Sequence, residues 1–239
     1  MSKHTNSFTT KIFADGAEKA GMLEMDKNPL ISGFTTNPTL MKKAGIADYR
    51  VFAKDILSVI NTKPISFEVF SDEFDEMERQ ALEIASWGKN VYVKIPITNT
   101  KGESSAPLID RLSAAQVKVN VTAMMTLEQV KEVVPGLVKG PGSYVSVFAG
   151  RIADAGTDPL PIMKAVMDHI APHPMIELIW ASPREVFNLV QADSIRCHVI
   201  TMTNDLIKKI PTIGKDLNTF SLETVKMFFN DASAAGFKL

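Results

Sequence analysis

The sequence predicts an α/β protein built as one (β/α)8 TIM barrel with an extra C-terminal helix. Three observations carry that prediction. Eight short runs rich in Val, Ile and Phe alternate with segments of helical composition, the pattern of a parallel sheet covered by helices. No Pro/Gly/Ser-rich linker interrupts the alternation, so 1–239 reads as a single domain. The length of 239 residues is close to the ~250 typical of such barrels. An open doubly wound sheet uses the same alternation and stays as the alternative, because periodicity alone does not close a barrel.

In chain order the runs are 9–15 (TTKIFAD), 31–35 (ISGFT), 64–70 (PISFEVF), 90–96 (NVYVKIP), 117–122 (VKVNVT), 144–150 (YVSVFAG), 175–181 (MIELIWA) and 197–202 (CHVITM). Segments such as 71–87 and 126–139 have helical composition, and 219–235 reads as a further helix. Strand side chains alternate between faces with period two. Ile12 and Ala14 oppose Lys11, Phe13 and Asp15; Ile65, Phe67 and Val69 oppose Ser66, Glu68 and Phe70. Val91, Val93 and Ile95 oppose Asn90, Tyr92 and Lys94. Val117, Val119 and Val121 oppose Lys118, Asn120 and Thr122, and Val145, Val147 and Ala149 oppose Ser146 and Phe148. A strand buried on both faces would read as continuous aliphatic residues. Here one face is aliphatic, suited to packing on outer helices. The other collects Asp15, Glu68, Lys94, Asn120, Thr122 and Ser146, late in their strands. Barrel active sites lie at the C-terminal strand ends, so a polar cluster is expected at the mouth.

Composition narrows the function classes. Lys plus Arg number 26 and Asp plus Glu 27, a net charge of −1, which excludes nucleic acid or an anionic membrane as a bulk electrostatic partner. Hydrophobic residues are 45% and charged residues 22%, ordinary for a folded chain. The only cysteine, Cys197, forms no intrachain disulfide and fits a reducing compartment. The polar start MSKHTNSFTT has no apolar h-region, and no run approaches the ~18 apolar residues of a membrane helix. A cytoplasmic chain is expected.

Lys94 is central to the chemistry. A lysine inside a barrel loses solvation, which disfavours the ammonium, and a neutral amine attacks a carbonyl to form a Schiff base. Asp15 and Glu68 supply acid/base groups on the same face. Asn37, Asn120, Thr122 and Ser146 are suited to a polyol or a bridging water. The bland alternative is an internal ion pair of Lys94 with Glu68 or Asp15, a buried polar layer and nothing more. Arg151 after the sixth run and Ser182-Pro183-Arg184 after the seventh suggest a phosphate site. Ser182 is expected as an N-cap with Pro183 as first helical residue, presenting N–H groups to an anion. The opposing reading pairs Arg151 with Asp154 and leaves Arg184 solvated. Cys197-His198 is too short for a metal site and His4, His169 and His173 show no ligand spacing, so no metal is expected. Nucleotide-binding glycine motifs are absent, the 120–122 sequon lies in a strand, and the twelve methionines read as core filler.

Six segments, in this order, resemble the transaldolase family of class I Schiff-base enzymes: FADGA (13–17), GFTTNPT (33–39), YVKIPIT (92–98), NVTA (120–123), SVFAGRIAD (146–154) and ASPR (181–184). The resemblance implies a (β/α)8 barrel without cofactor that moves a dihydroxyacetone unit from a ketose phosphate, such as sedoheptulose 7-phosphate or fructose 6-phosphate, to an aldose phosphate in the pentose phosphate pathway. It implies Lys94 as Schiff-base lysine, Asp15 as the acid/base of carbon–carbon cleavage, and Glu68 acting through a water held also by Thr122. It implies Asn37 and Asn120 on substrate hydroxyls, Thr35 or Thr36 supporting that loop, Ser146 at the dihydroxyacetone end, and Arg151, Ser182 and Arg184 on phosphate. The related fructose-6-phosphate aldolases usually carry Gln, Ala and Tyr where this chain has Glu68, Ser146 and Phe148. A phenol donates a proton to the carbanion and releases dihydroxyacetone; Phe148 does not. An aldolase releasing free dihydroxyacetone, and a non-catalytic sugar-phosphate-binding barrel, remain as alternatives. The chain departs from the family in its short length, in Glu185 beside Arg184, and in a polar insertion at 99–105. Short relatives often form rings through a C-terminal helix, so 219–235 is expected to serve homo-oligomer assembly.

Overall fold

Eight parallel strands close on themselves in sequence order, each hydrogen-bonded to the next and the eighth to the first. The closure, in a computed structural model that describes residues 8–238, settles the barrel against the open sheet. His4 lies outside the described residues. The strands are β1 (Lys11–Asp15), β2 (Ile31–Thr35), β3 (Ile65–Glu68), β4 (Val91–Pro96), β5 (Val119–Met124), β6 (Ser143–Val147), β7 (Ile176–Trp180) and β8 (Val199–Thr203). The helices are α1 (Lys19–Asp26), α2 (Pro38–Lys43), α3 (Tyr49–Val59), α4 (Phe74–Ala85), α5 (Ala106–Ala114), α6 (Leu127–Leu137), α7 (Ala149–Asp154), α8 (Pro159–Ile170), α9 (Phe187–Ser194), α10 (Asn204–Ile207) and α11 (Leu217–Ala234).

Local chemistry sets several helix starts. Asn37 caps α2 by accepting the Leu40 N–H at 2.9 Å, with Pro38 in the first turn. Thr126 and Gln129 form a reciprocal capping box on α6. Asp216 caps α11.

Two apolar clusters follow from strand parity. The outer one joins Val93, Val121 and Val145 of the wall to helix residues such as Ile56, Met77 and Leu108. The inner one fills the barrel with Phe13, Tyr144, Ile179 and Val199, against Tyr92. Phe13 meets Tyr144 edge-on at 5.6 Å between ring centroids. Gly33 makes room for this plug, since a Cβ there would lie 2.7 Å from the Phe13 ring. The interior is thus an aromatic plug below and a polar mouth above.

Some runs overshoot their strands. β3 stops at Glu68, so Phe70 is not an interior residue; it is 63% exposed. β6 stops at Val147, and Phe148 begins the turn into α7. The C-terminal helix forms as expected, but none of its residues is buried; Phe228 and Phe229 are 63% and 71% exposed.

Candidate active site at the barrel mouth

Strand register brings the polar residues together. Glu68 pairs with Lys94 across β3 and β4, and Lys94 with Asn120 across β4 and β5. Asp15 pairs with Thr35 across β1 and β2. Side chains in register on one face converge at one level of the barrel. A cavity of about 520 Å³ opens there, with Lys94, Glu68, Asp15, Thr122 and Ser146 at its base and Asn37, Phe148, Arg151, Ser182 and Arg184 around it.

Lys94 is 6% exposed. Its Nζ lies 3.0 Å from Glu68 Oε2 and donates to the Thr36 carbonyl at 2.9 Å. The amine is therefore held by two acceptors while facing the cavity. Asp15 accepts from the Thr35 hydroxyl at 2.7 Å, and the Thr35 and Thr201 hydroxyls are 2.5 Å apart. Thr35 spends its only proton on the carboxylate, so Thr201 donates to Thr35. Burial raises the Asp15 carboxyl above its ordinary range; the nearby Lys94 charge and the Thr35 hydrogen bond pull the other way without cancelling it. Thr122 Oγ1 is buried without a protein partner, at the cavity wall. A bulge follows it, with Ala123 in the left-handed region at φ 63°. Ser146 lines the cavity and donates to Asn120 Oδ1 at 2.7 Å.

Asn120 is fully buried: it donates to Ser66 Oγ at 3.0 Å and accepts from Ser146 at 2.7 Å, and it is not among the residues lining the cavity. Thr36 is fully buried as well; its hydroxyl donates to the Ser66 carbonyl and its own carbonyl accepts from Lys94 Nζ. Ser182 is not an N-cap, because α9 begins only at Phe187, and Ser182 adopts φ 58° in the preceding turn. Its carbonyl packs where a Cβ on residue 150 would lie, 1.6 Å away, which only Gly150 permits. The loop still reaches the mouth, but without a helix start. Arg184, not Arg151, pairs with Asp154. Arg151 lies over the Phe148 ring at 5.8 Å from its centroid. Glu185 is exposed and does not line the cavity, nor does the 99–105 loop, which Asp72 ties down through Thr100.

Thr35, expected as loop support, and Thr201, which carries no sequence signal, both line the mouth and form this hydroxyl chain to Asp15. Cys197 is buried and pushed up to about 12, an inert thiol. His198 accepts from the Leu178 N–H at 3.1 Å, a packing role. Among the described residues no group of three or more His, Cys, Asp or Glu is placed to hold a metal ion, and no helix is long and apolar enough to cross a membrane.

Residues 12–239 match the model of the Transaldolase/Fructose-6-phosphate aldolase family. The chain belongs to that family. A probable transaldolase 2 of Listeria monocytogenes is 33% identical over 218 residues, 88% of this chain and 94% of that one. A probable transaldolase of Thermoanaerobacter sp. is 31% identical over 230 residues, 96% of this chain and 100% of that one. These likenesses mark an enzyme of the aldolase/transaldolase type. Solved barrels share the fold alone. A 2,3-dimethylmalate lyase superposes with a TM-score of 0.56 at 10% identity, over 96% of this chain and 84% of that one. KGPDC from Streptococcus mutans gives 0.57 at 9%, over 82% and 89%. In family terms, the mouth carries both a buried amine and a protonatable carboxyl facing one cavity.

Proposed function

We propose that the protein is a transaldolase working through a Schiff base on Lys94. The carrying observation is the Lys94–Glu68 pair at 3.0 Å, open to a 520 Å³ cavity that Asp15 shares. A merely structural ion pair has no need of a cavity of sugar size beside it. Lys94 Nζ, after giving up a proton, attacks the ketose C2 carbonyl; Glu68 exchanges protons with the carbinolamine, with the free Thr122 hydroxyl holding the water that leaves. Asp15 takes the C4 hydroxyl proton, the C3–C4 bond breaks, and its electrons pass to the iminium nitrogen. The aldose leaves, and the three-carbon enamine remains on Lys94. An acceptor aldehyde is attacked by the enamine, Asp15 returns the proton, and hydrolysis frees the new ketose. Phe148 offers no proton to the enamine, which favours transfer over release of dihydroxyacetone.

Arg151 and Arg184 at the rim suit a phosphate through charge-assisted hydrogen bonds. With a net charge of −1, recognition of an anion rests on such placed groups. Sedoheptulose 7-phosphate or fructose 6-phosphate as donor and an aldose phosphate as acceptor fit these charges. The same proposal covers the single domain 1–239, a cytoplasmic site in keeping with the lone buried Cys197, and self-association. The exposed Leu222, Val225 and Phe229, at i, i+3 and i+7 of α11, share one apolar face that a second copy of the chain would cover. Product analysis with and without an acceptor aldehyde tests the reaction. The proposal expects acceptor-dependent turnover; fast release of free dihydroxyacetone without acceptor would make it an aldolase, and binding without turnover a silent barrel.

A further inference from the structure

Tyr49 of α3 packs outside the barrel wall, yet its hydroxyl reaches the backbone of Glu68. It donates to the Glu68 carbonyl at 2.8 Å and accepts from the Glu68 N–H at 2.8 Å. The geometry of β3 explains this contact. Alternate residues of a strand turn their N–H and C=O toward the same neighbour. Ser66 bonds toward β2, its carbonyl accepting the Thr36 N–H at 3.1 Å. Ile65 and Val69 bond toward β4, donating to the Asn90 and Lys94 carbonyls at 3.0 and 3.1 Å. Glu68 shares the orientation of Ser66, so both its backbone groups face the β2 side. There β2 has ended at Thr35, and the chain has turned into α2 at Pro38. The residue whose carboxylate meets Lys94 would be left with two orphaned backbone groups. One phenol oxygen stands where the next β2 residue would be and satisfies both.

The phenol is itself held firmly. Its ring lies against Phe67, Phe70 and Trp87, with centroids 6.2, 5.6 and 5.8 Å away. Burial raises its pKa, so the hydroxyl keeps its proton and can donate.

We propose that Tyr49 is a positioning residue: its hydroxyl closes the open end of β3 and fixes where the Glu68 carboxylate meets Lys94. The proposal rests on the Schiff-base reading above. Displacements near 1 Å cost up to 10²-fold in rate, so loss of the hydroxyl is expected to slow imine formation about 10- to 100-fold.

The test follows the rate at which borohydride and fructose 6-phosphate trap Lys94 in the full chain. Tyr49→Phe should slow trapping by that factor, while in a Glu68→Gln background the same change should alter the rate less than about twofold, because Tyr49 acts through Glu68. Independent multiplication of the two effects, or an unslowed Tyr49→Phe, would overturn the assignment. Amide hydrogen exchange of the unmodified protein gives a readout that needs no variant. The Glu68 N–H should be protected like that of Val69, and fast exchange at Glu68 would overturn the clamp. Failure of the wild-type protein to trap at all would bring down the Schiff-base reading too, whereas wild-type trapping with an unslowed Tyr49→Phe removes only the Tyr49 assignment.

Discussion

Replacing Lys94 with methionine removes the cation paired with Glu68 and keeps most of the side-chain volume. The amine lies 3.0 Å from Glu68 Oε2, with side chains only 7% and 16% exposed. At an effective dielectric constant of ~20, unit charges at that distance attract by about 5–6 kcal/mol. Proton uptake and water entering from the cavity limit the loss, and removing one member of a buried pair typically costs about 3–5 kcal/mol. In a chain of this length that lowers Tm by roughly 6–20 °C. The pH dependence has a definite sign. Without Lys94, nothing charged offsets the burial that raises the Asp15 carboxyl, so the folded variant holds that proton more tightly than its unfolded chain. Its deficit against wild type is therefore largest at neutral pH and shrinks as the pH falls into the carboxylate range. Thermal melts at pH 7 and pH 5 check this, together with Lys94→Met/Glu68→Gln, which should recover part of the loss by removing the stranded charge. An unchanged Tm at pH 7, or a deficit that grows on acidification, would refute the reasoning.

Asp15→Asn should lower turnover by on the order of 10²–10⁴-fold, as for loss of a general acid/base. It should also make the protein more stable at pH 7: the raised carboxyl means the folded state holds this proton more tightly than the unfolded chain, so the carboxylate opposes folding above its raised value. That advantage should fade as the pH falls toward the ordinary aspartate range, and melts across pH 4–8 read it. Arg184→Ala should cost less than about 1 kcal/mol of stability, since its pairing with Asp154 is half-exposed, while raising KM for a phosphorylated donor about 10-fold or more and leaving an unphosphorylated one nearly unchanged. Gly150→Ala places a Cβ 1.6 Å from the Ser182 carbonyl, so the 181–184 turn must move; KM for the phosphorylated donor should rise in steady-state assays.

The barrel and much of its mouth were legible in the sequence because strand parity is a local property. Val93 and Lys94 must face opposite ways whatever the rest of the chain does, and the register then places Lys94 beside Glu68. Depth along the barrel is not local. Asn120 has the right parity, but its amide is taken up by Ser66 and Ser146, and only the pairing of three strands reveals that. The Thr201–Thr35–Asp15 chain joins β8, β2 and β1, whose adjacency exists only once the barrel closes. Ser182-Pro183 satisfies the local rule for a helix start, yet the approach of the turn to Gly150 holds Ser182 in the left-handed region and delays α9 to Phe187. The Tyr49 clamp was invisible for a related reason: an unpaired strand end depends on where the neighbouring strand stops.

The central claim is a covalent bond between Lys94 and the donor ketose. Incubating the unmodified protein with fructose 6-phosphate and borohydride, then mapping peptides by mass, tests lysine, donor and chemistry together. The account predicts a single reduced adduct on the peptide carrying Lys94, absent without donor. Turnover of the donor with Lys94 unlabelled, or undiminished turnover in Lys94→Met, would contradict it.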